Sequence, residues 1–170
     1  HRRFSSCSAL IKRFNIIPLR GHSIDQIGVL TEDNVLFCGD AFFSEEKLSK
    51  YPFPFIFDLR EHFKTLEFLL STDYDYYVLS HSDIIIQNPK DLINKNIDNL
   101  NANIDMILSY LSQPLTREDL AELIIKMYNI KLDIPQYFIT LTSVSAFLTY
   151  LLERNSIEMS IIDGKMYFYV

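Results

Sequence analysis

The chain has 170 residues, 48% hydrophobic and 22% charged, a composition that forms one folded domain or two small ones and excludes a disordered segment. A formal net charge of −6 argues against a general polyphosphate partner, because non-specific nucleic-acid affinity comes mainly from lysines and arginines releasing counterions. No uninterrupted apolar run approaches the ~20 residues of a membrane-spanning helix, so no membrane partner is expected.

The sequence opens HRRFSSC, with neither an initiator methionine nor a secretory leader, and reads as a piece of a longer protein from a reducing cytoplasm. Residues 5–14 carry the spacing of a short amphipathic helix, and the β-prone run NIIPL behind it leads to Gly21-His22. Two strands follow, 27–30 and 35–38, on either side of a polar turn, and the second delivers Gly39-Asp40. Of the two cysteines, Cys7 and Cys38, the second closes an apolar strand and reads as a buried thiol, not half of a disulfide framework.

The aromatic loop FFSEEKLSKYPFPFIF, with Glu45, Lys47 and Lys50, reads equally as a wall facing a substrate or as a cover over the sheet edge. Asp58 and Glu61 then have the pattern of an N-cap and its reciprocal partner, ahead of Leu59, Phe63, Leu66, Leu69 and Leu70 at helical spacing. His62 lies in that helix without a His or Asp partner nearby and reads as a helix-surface residue; His1 reads as a terminal residue. A strand at 76–79 ends at Ser80-His81.

From residue 91 the pattern changes, because Ile93, Ile97, Leu100, Ile104, Ile107 and Leu111 recur at spacings of three and four. One long helix is expected, then a helix through Tyr128 capped by Thr116 and Asp119, then a third over about 143–155 entered through IPQYF. Asp163-Gly164 between two β-prone runs is a strong hairpin signal. The chain therefore divides into residues 1–90 and, at 91–170, the long helix with a winged-helix-like module.

His22, Asp40 and His81 each follow a strand immediately, and in layered α/β folds strand ends are where distant side chains converge on one crevice. Imidazole and carboxylate are ligands for zinc or iron, and glycines at 21 and 39 let the backbone turn sharply beside them. Taken singly, a Gly-Asp is also an ordinary turn, and a lone buried histidine is usually hydrogen-bonded core.

Together, GHSIDQIGVLTEDNVLFCGDAFF and, some 40 residues on, YVLSHSD resemble the C-terminal half of a metallo-β-lactamase superfamily hydrolase. The resemblance covers about residues 10–85. It implies an α/β (α+β) fold, half of an αββα sandwich, with the tail similar to a winged-helix-like domain appended to some of these hydrolases. It implies that His22 binds the first of two divalent metal ions, that Asp40 bridges both and is catalytic, and that His81 binds the second, with zinc before iron or manganese. The implied activity is hydrolysis of an ester, thioester or related small-molecule substrate by metal-activated water.

The superfamily's His-x-His-x-Asp-His segment is nowhere in the sequence. On this resemblance the chain holds half of a site and is a poor metal binder and catalyst by itself. Its expected partner is a missing N-terminal half or a second copy, met through an apolar sheet face. Two other readings stand beside the hydrolase: an interaction or nucleic-acid module built on the tail, and a degenerate, non-catalytic member of the family. Residues 116–170 weigh against DNA, with five basic side chains (Arg117, Lys126, Lys131, Arg154, Lys165) against seven acidic ones.

Overall fold

The structure, a computed structural model, describes residues 14–81 and 85–170. Cys7, His1 and all but the last residue of the helix expected at 5–14 lie outside the described residues. Strands β1 (Asn15–Pro18), β2 (Ile27–Leu30) and β3 (Val35–Gly39) form an antiparallel meander. Strand β4 (Tyr76–Leu79) pairs parallel to β3, and β5 (Ile85–Ile86) pairs antiparallel on the far side of β4, so the sheet runs β1-β2-β3-β4-β5. Parallel neighbours need a crossover, and here it carries α1 (Glu45–Lys50) and α2 (Leu59–Leu70).

Side chains alternate across this sheet, and its two faces differ. Inward-facing Leu36, Cys38, Tyr77 and Leu79 are buried together with Leu59, Leu66 and Leu69 of α2. The outward face carries a transverse row of Cα partners, Ile16, Val29, Phe37, Val78 and Ile85, one from each strand. All five are apolar, yet Ile16 is 57%, Phe37 47% and Ile85 64% exposed, the accessibility of loop residues rather than of a sheet interior. Ile27 and Tyr76, also exposed, extend the same face.

Helix α3 (Lys90–Tyr110) packs against α2 and α1 and is followed by β6 (Leu115–Thr116), α4 (Arg117–Met127), α5 (Ile134–Glu153), β7 (Glu158–Ile162) and β8 (Lys165–Tyr169). The last three strands make a second sheet in the order β6-β8-β7. Thr116 and Asp119 form the expected reciprocal cap: Oγ1 accepts from the Asp119 amide at 3.1 Å, and the Asp119 carboxylate accepts from the Thr116 amide at 3.1 Å. The hairpin turns at Asp163 (φ 49°) and Gly164 (φ 76°), the two positive φ values of a type I′ turn. One apolar cluster runs from Leu19 to Phe168 and includes Ile93, Leu100 and Ile107 of α3.

Three expectations need correction. Helix α5 begins at Ile134, not near 143, because Asp133 caps it by accepting from the Gln136 amide at 2.7 Å, and Pro135 sits in the first turn, where a missing N–H costs nothing. The aromatic loop contains α1, capped by Ser44 Oγ accepting from the Lys47 amide at 3.3 Å. His62 is buried, 1% exposed, not on the helix surface. The Asp58 cap forms, accepting from the Glu61 amide at 2.9 Å, while the Glu61 carboxylate takes Lys64 Nζ at 2.8 Å.

Candidate metal centre

The segment carrying His22 is held at three points. Leu19 donates its amide to the Gln26 carbonyl at 2.9 Å, Thr65 Oγ1 of α2 donates to the Arg20 carbonyl at 2.7 Å, and the Gly21 carbonyl accepts from the amides of Phe57 and Asp58, both at 2.9 Å. Gly21 has φ +126°, and a Cβ there would stand 2.3 Å from the His62 Cα and 2.4 Å from its amide nitrogen. Backbone meets backbone at this point, so glycine is required by space as well as by conformation. His22 is thereby set directly above α2.

Asp40 follows Gly39, whose φ of +60° turns the chain off the end of β3. Gln26 Nε2 donates to the Cys38 carbonyl at 3.1 Å and the Ser80 amide to the Gly39 carbonyl at 2.9 Å, tying the turns around Gly21, Gly39 and Ser80 to one another. His81, after β4, has φ 57°. A non-glycine residue in that region costs about 1–2 kcal/mol, a strain that concentrates at functional sites.

His22, Asp40 and His81 line one cleft of about 360 Å³, within the usual range for a small-molecule site. His22 Nδ1 lies 3.0 Å from the Phe55 carbonyl, which can only accept, so Nδ1 carries the proton and Nε2 keeps its lone pair. Nε2 faces the Asp40 carboxylate at 3.9 Å. Burial pushes the His22 pKa below its ordinary value, against the pull of Asp40 and the Phe55 bond, and His81 adds to the lowering. The ring is therefore neutral near pH 7.

A neutral imidazole with its other nitrogen tied to a carbonyl, facing a carboxylate, is a donor pair that suits a divalent ion. Two ligands at about 2.0–2.2 Å from one tetrahedral ion stand roughly 3.3–3.6 Å apart, and the 3.9 Å seen here is slightly wider than that span. Among the described residues, however, no group of three or more His, Cys, Asp or Glu side chains is gathered closely enough to hold a metal. The chain presents a pair, with His81 further along the same cleft.

The rest of the lining comes from the crossover and from α5. Phe43, Lys47, Tyr51, Phe53 and Phe55 form one wall, so the aromatic loop faces the cleft; Ile139, Thr140 and Ser143 form part of the other. The edges of Phe43 and Phe55 meet the His22 ring at centroid distances of 5.9 and 5.1 Å. Sequence reasoning missed the α5 contribution, since it started that helix at 143.

It also missed His62, whose environment is set by contacts far away in sequence. Its Nδ1 is buried without a hydrogen-bond partner, and burial, aided by the neighbouring His22, lowers its pKa to about 3. Cys38 is free and buried, its thiol pushed up to about 12 by burial, in agreement with the buried thiol read from sequence. A larger groove, about 710 Å³ between α4, α5 and the hairpin, contains no histidine, and its Arg117 already pairs with Glu118. His22, Asp40 and His81 lie in the smaller cleft.

The architecture, a mixed sheet with helices on one face and ligand-type side chains at its strand ends, defines an α/β protein with a crevice along the ends of β3 and β4. It is the metallo-β-lactamase fold. The whole chain superposes on a metallo-beta-lactamase family protein from Thermus thermophilus with a TM-score of 0.72 at 17% identity, covering 54% of that protein. A beta-lactamase domain protein from Burkholderia ambifaria gives a TM-score of 0.75 at 17% identity over 99% of this chain and 52% of that one. The chain thus spans about half the length of the structures it matches. No protein-family model and no curated protein matches the sequence. Among the described residues no helix is long and apolar enough to cross a membrane.

Proposed function

We propose that this chain carries part of the active site of a metal-dependent hydrolase, with His22, Asp40 and His81 as its contribution. The observation that carries the reading is the His22 ring: its proton is committed to the Phe55 carbonyl, and its bare Nε2 is turned toward Asp40. His22 would hold one divalent ion, Asp40 would lie between two, and His81 would hold the second, with zinc favoured by the nitrogen and oxygen donors over iron or manganese. Bound there, such ions supply activated water and polarise an ester or thioester carbonyl. Asp40 contributes the negative charge that keeps two cations close. The aromatic wall excludes bulk water and seats the organic part of a substrate.

The remaining ligands, on this reading, come from a segment outside this sequence or from a second copy. The apolar outward face of the first sheet supports that, since the row of Ile16, Val29, Phe37, Val78 and Ile85, exposed at Ile16, Phe37 and Ile85, favours burial against another layer. Residues 91–170 we read as a winged-helix-like module whose role is packing, because its helices share the core with the first sheet's layer and its charge is net acidic.

The test is to express this chain and a longer version including the upstream coding sequence, then measure metal content and hydrolysis of 4-nitrophenyl acetate and an acyl thioester. The longer protein should bind about two ions and turn over, and Asp40→Asn should lower its rate roughly 100-fold. A longer protein that carries no metal, or that keeps full activity with Asp40→Asn, overturns the reading.

A further inference from the structure

The cleft wall has a feature that metal binding does not require. Lys47 is half-buried in the lining, one helical turn before Tyr51, and its Nζ stands 5.2 Å from the Tyr51 ring centroid. Lys50 approaches the same ring at 5.4 Å. Lys64, Lys95 and Lys126 each meet a carboxylate, but Lys47 and Lys50 meet none among the described residues. A cation held over an aromatic face keeps its position without losing its charge, whereas a carboxylate partner would neutralise it. In a chain of net charge −6, Lys47 is the one lysine or arginine among the described residues that line this cleft.

The wall around it is also rigid. Asn96 of α3 clamps the Phe43 backbone from both sides, accepting from its amide at 2.8 Å and donating to its carbonyl at 2.9 Å. Asn99 and Asn103 donate to the Pro52 carbonyl at 3.0 and 2.9 Å, and Ser143 Oγ accepts from the Ile56 amide at 3.2 Å. The segment between β3 and α2 is therefore pinned along its length to two helices. Phe53, held there, stacks on Phe147 at a centroid distance of 5.2 Å. A preformed aromatic surface with one positioned cation selects its ligand before any metal chemistry begins.

We infer that the cleft takes an amphipathic organic acid, an aryl-sized apolar body lying against Phe43, Phe53 and Phe55 with an anionic group at Lys47. Its description as a substrate rests on the hydrolase reading; its binding does not. Lys47 is a binding residue in this proposal, and His22, Asp40 and His81 face the other part of the ligand. Among the described residues the only carboxylate lining the cleft is that of Asp40, so the acid group goes to the end where Lys47 stands.

The experiment is an amide-shift titration of the metal-free chain with 4-phenylbutyrate and, separately, with its neutral amide 4-phenylbutanamide. Both should shift residues of the cleft, the acid binding roughly five-fold tighter. Lys47→Met, which keeps the apolar stem, should abolish that preference and leave the amide unchanged. Equal binding of acid and amide, a preference that survives Lys47→Met, shifts confined to the groove beside α4, or no binding by either probe would overturn the inference. Because no metal is present, absence of hydrolase activity leaves a positive result standing, and a failed titration leaves the metal reading to its own test.

Discussion

Acid should weaken this fold through one histidine that its own helix gives no reason to bury. His62 is neutral in the folded chain, with a pKa of about 3, whereas unfolding returns it to an ordinary imidazole near 6.5. Between those values the unfolded state binds a proton that the folded state does not, so folding stability rises with pH there and falls on acidification. Each pH unit well below 6.5 is worth about 1.4 kcal/mol, and because the unfolded imidazole is only half protonated at pH 6.5, moving from there to pH 4.5 should cost roughly 2 kcal/mol through this residue. His22, also lowered by burial, acts with the same sign. Glu61, Glu118 and Asp119, lowered below ordinary carboxylate values, contribute mostly beneath that window. The perturbation is His62→Leu, which removes both the proton site and the unpartnered Nδ1, and the assay is urea unfolding at pH 7.0, 5.5 and 4.5. At pH 7.0 the variant should match the parent within about 1 kcal/mol, because the unmatched polar atom is itself unfavourable. By pH 4.5 it should retain most of the stability that the parent loses. Parallel losses in parent and variant would refute the assignment of acid sensitivity to His62.

Gly21→Ala should cost roughly 3 kcal/mol or more in the same unfolding assay, because its Cβ meets the His62 backbone, whereas Gly164→Ala, with nothing within 4 Å, should cost only about 1–2 kcal/mol for its positive φ; equal costs would count against the contact. Sedimentation or light scattering should show the chain as a dimer or larger, with Phe37→Asp on the outward sheet face shifting it toward monomer, and a monomeric parent would remove the argument for a partner layer. Gel-shift titration at moderate salt should show no tight duplex binding by the acidic tail; submicromolar affinity with a steep salt slope would reverse that expectation.

Sequence alone reached β2, β3, β4, α3, the α4 cap and the Asp163-Gly164 turn, because each is written in contiguous residues: alternation, three-and-four spacing, a cap pair, a turn dipeptide. It also placed His22, Asp40 and His81 after strand ends, and the glycines before the first two do take positive φ. Where contiguous signals were weak or ambiguous it went astray. The IPQYF stretch reads as a connector by its proline, yet that proline begins α5, and the two-residue strands β5 and β6 are too short to show alternation. His62 reads as a surface residue because no His or Asp partner lies near it in sequence, and its burial depends on packing from distant segments, among them Gly21, whose backbone approaches that of His62. The apolar face of a sheet is likewise a tertiary matter: Ile16, Val29, Phe37, Val78 and Ile85 are ordinary strand residues one at a time, and strand pairing alone lines them up as one apolar row. Chemistry-bearing residue types are a property of the chain, but which of them share a cleft, and which apolar residues share a sheet face, depends on contacts between residues that no local pattern connects.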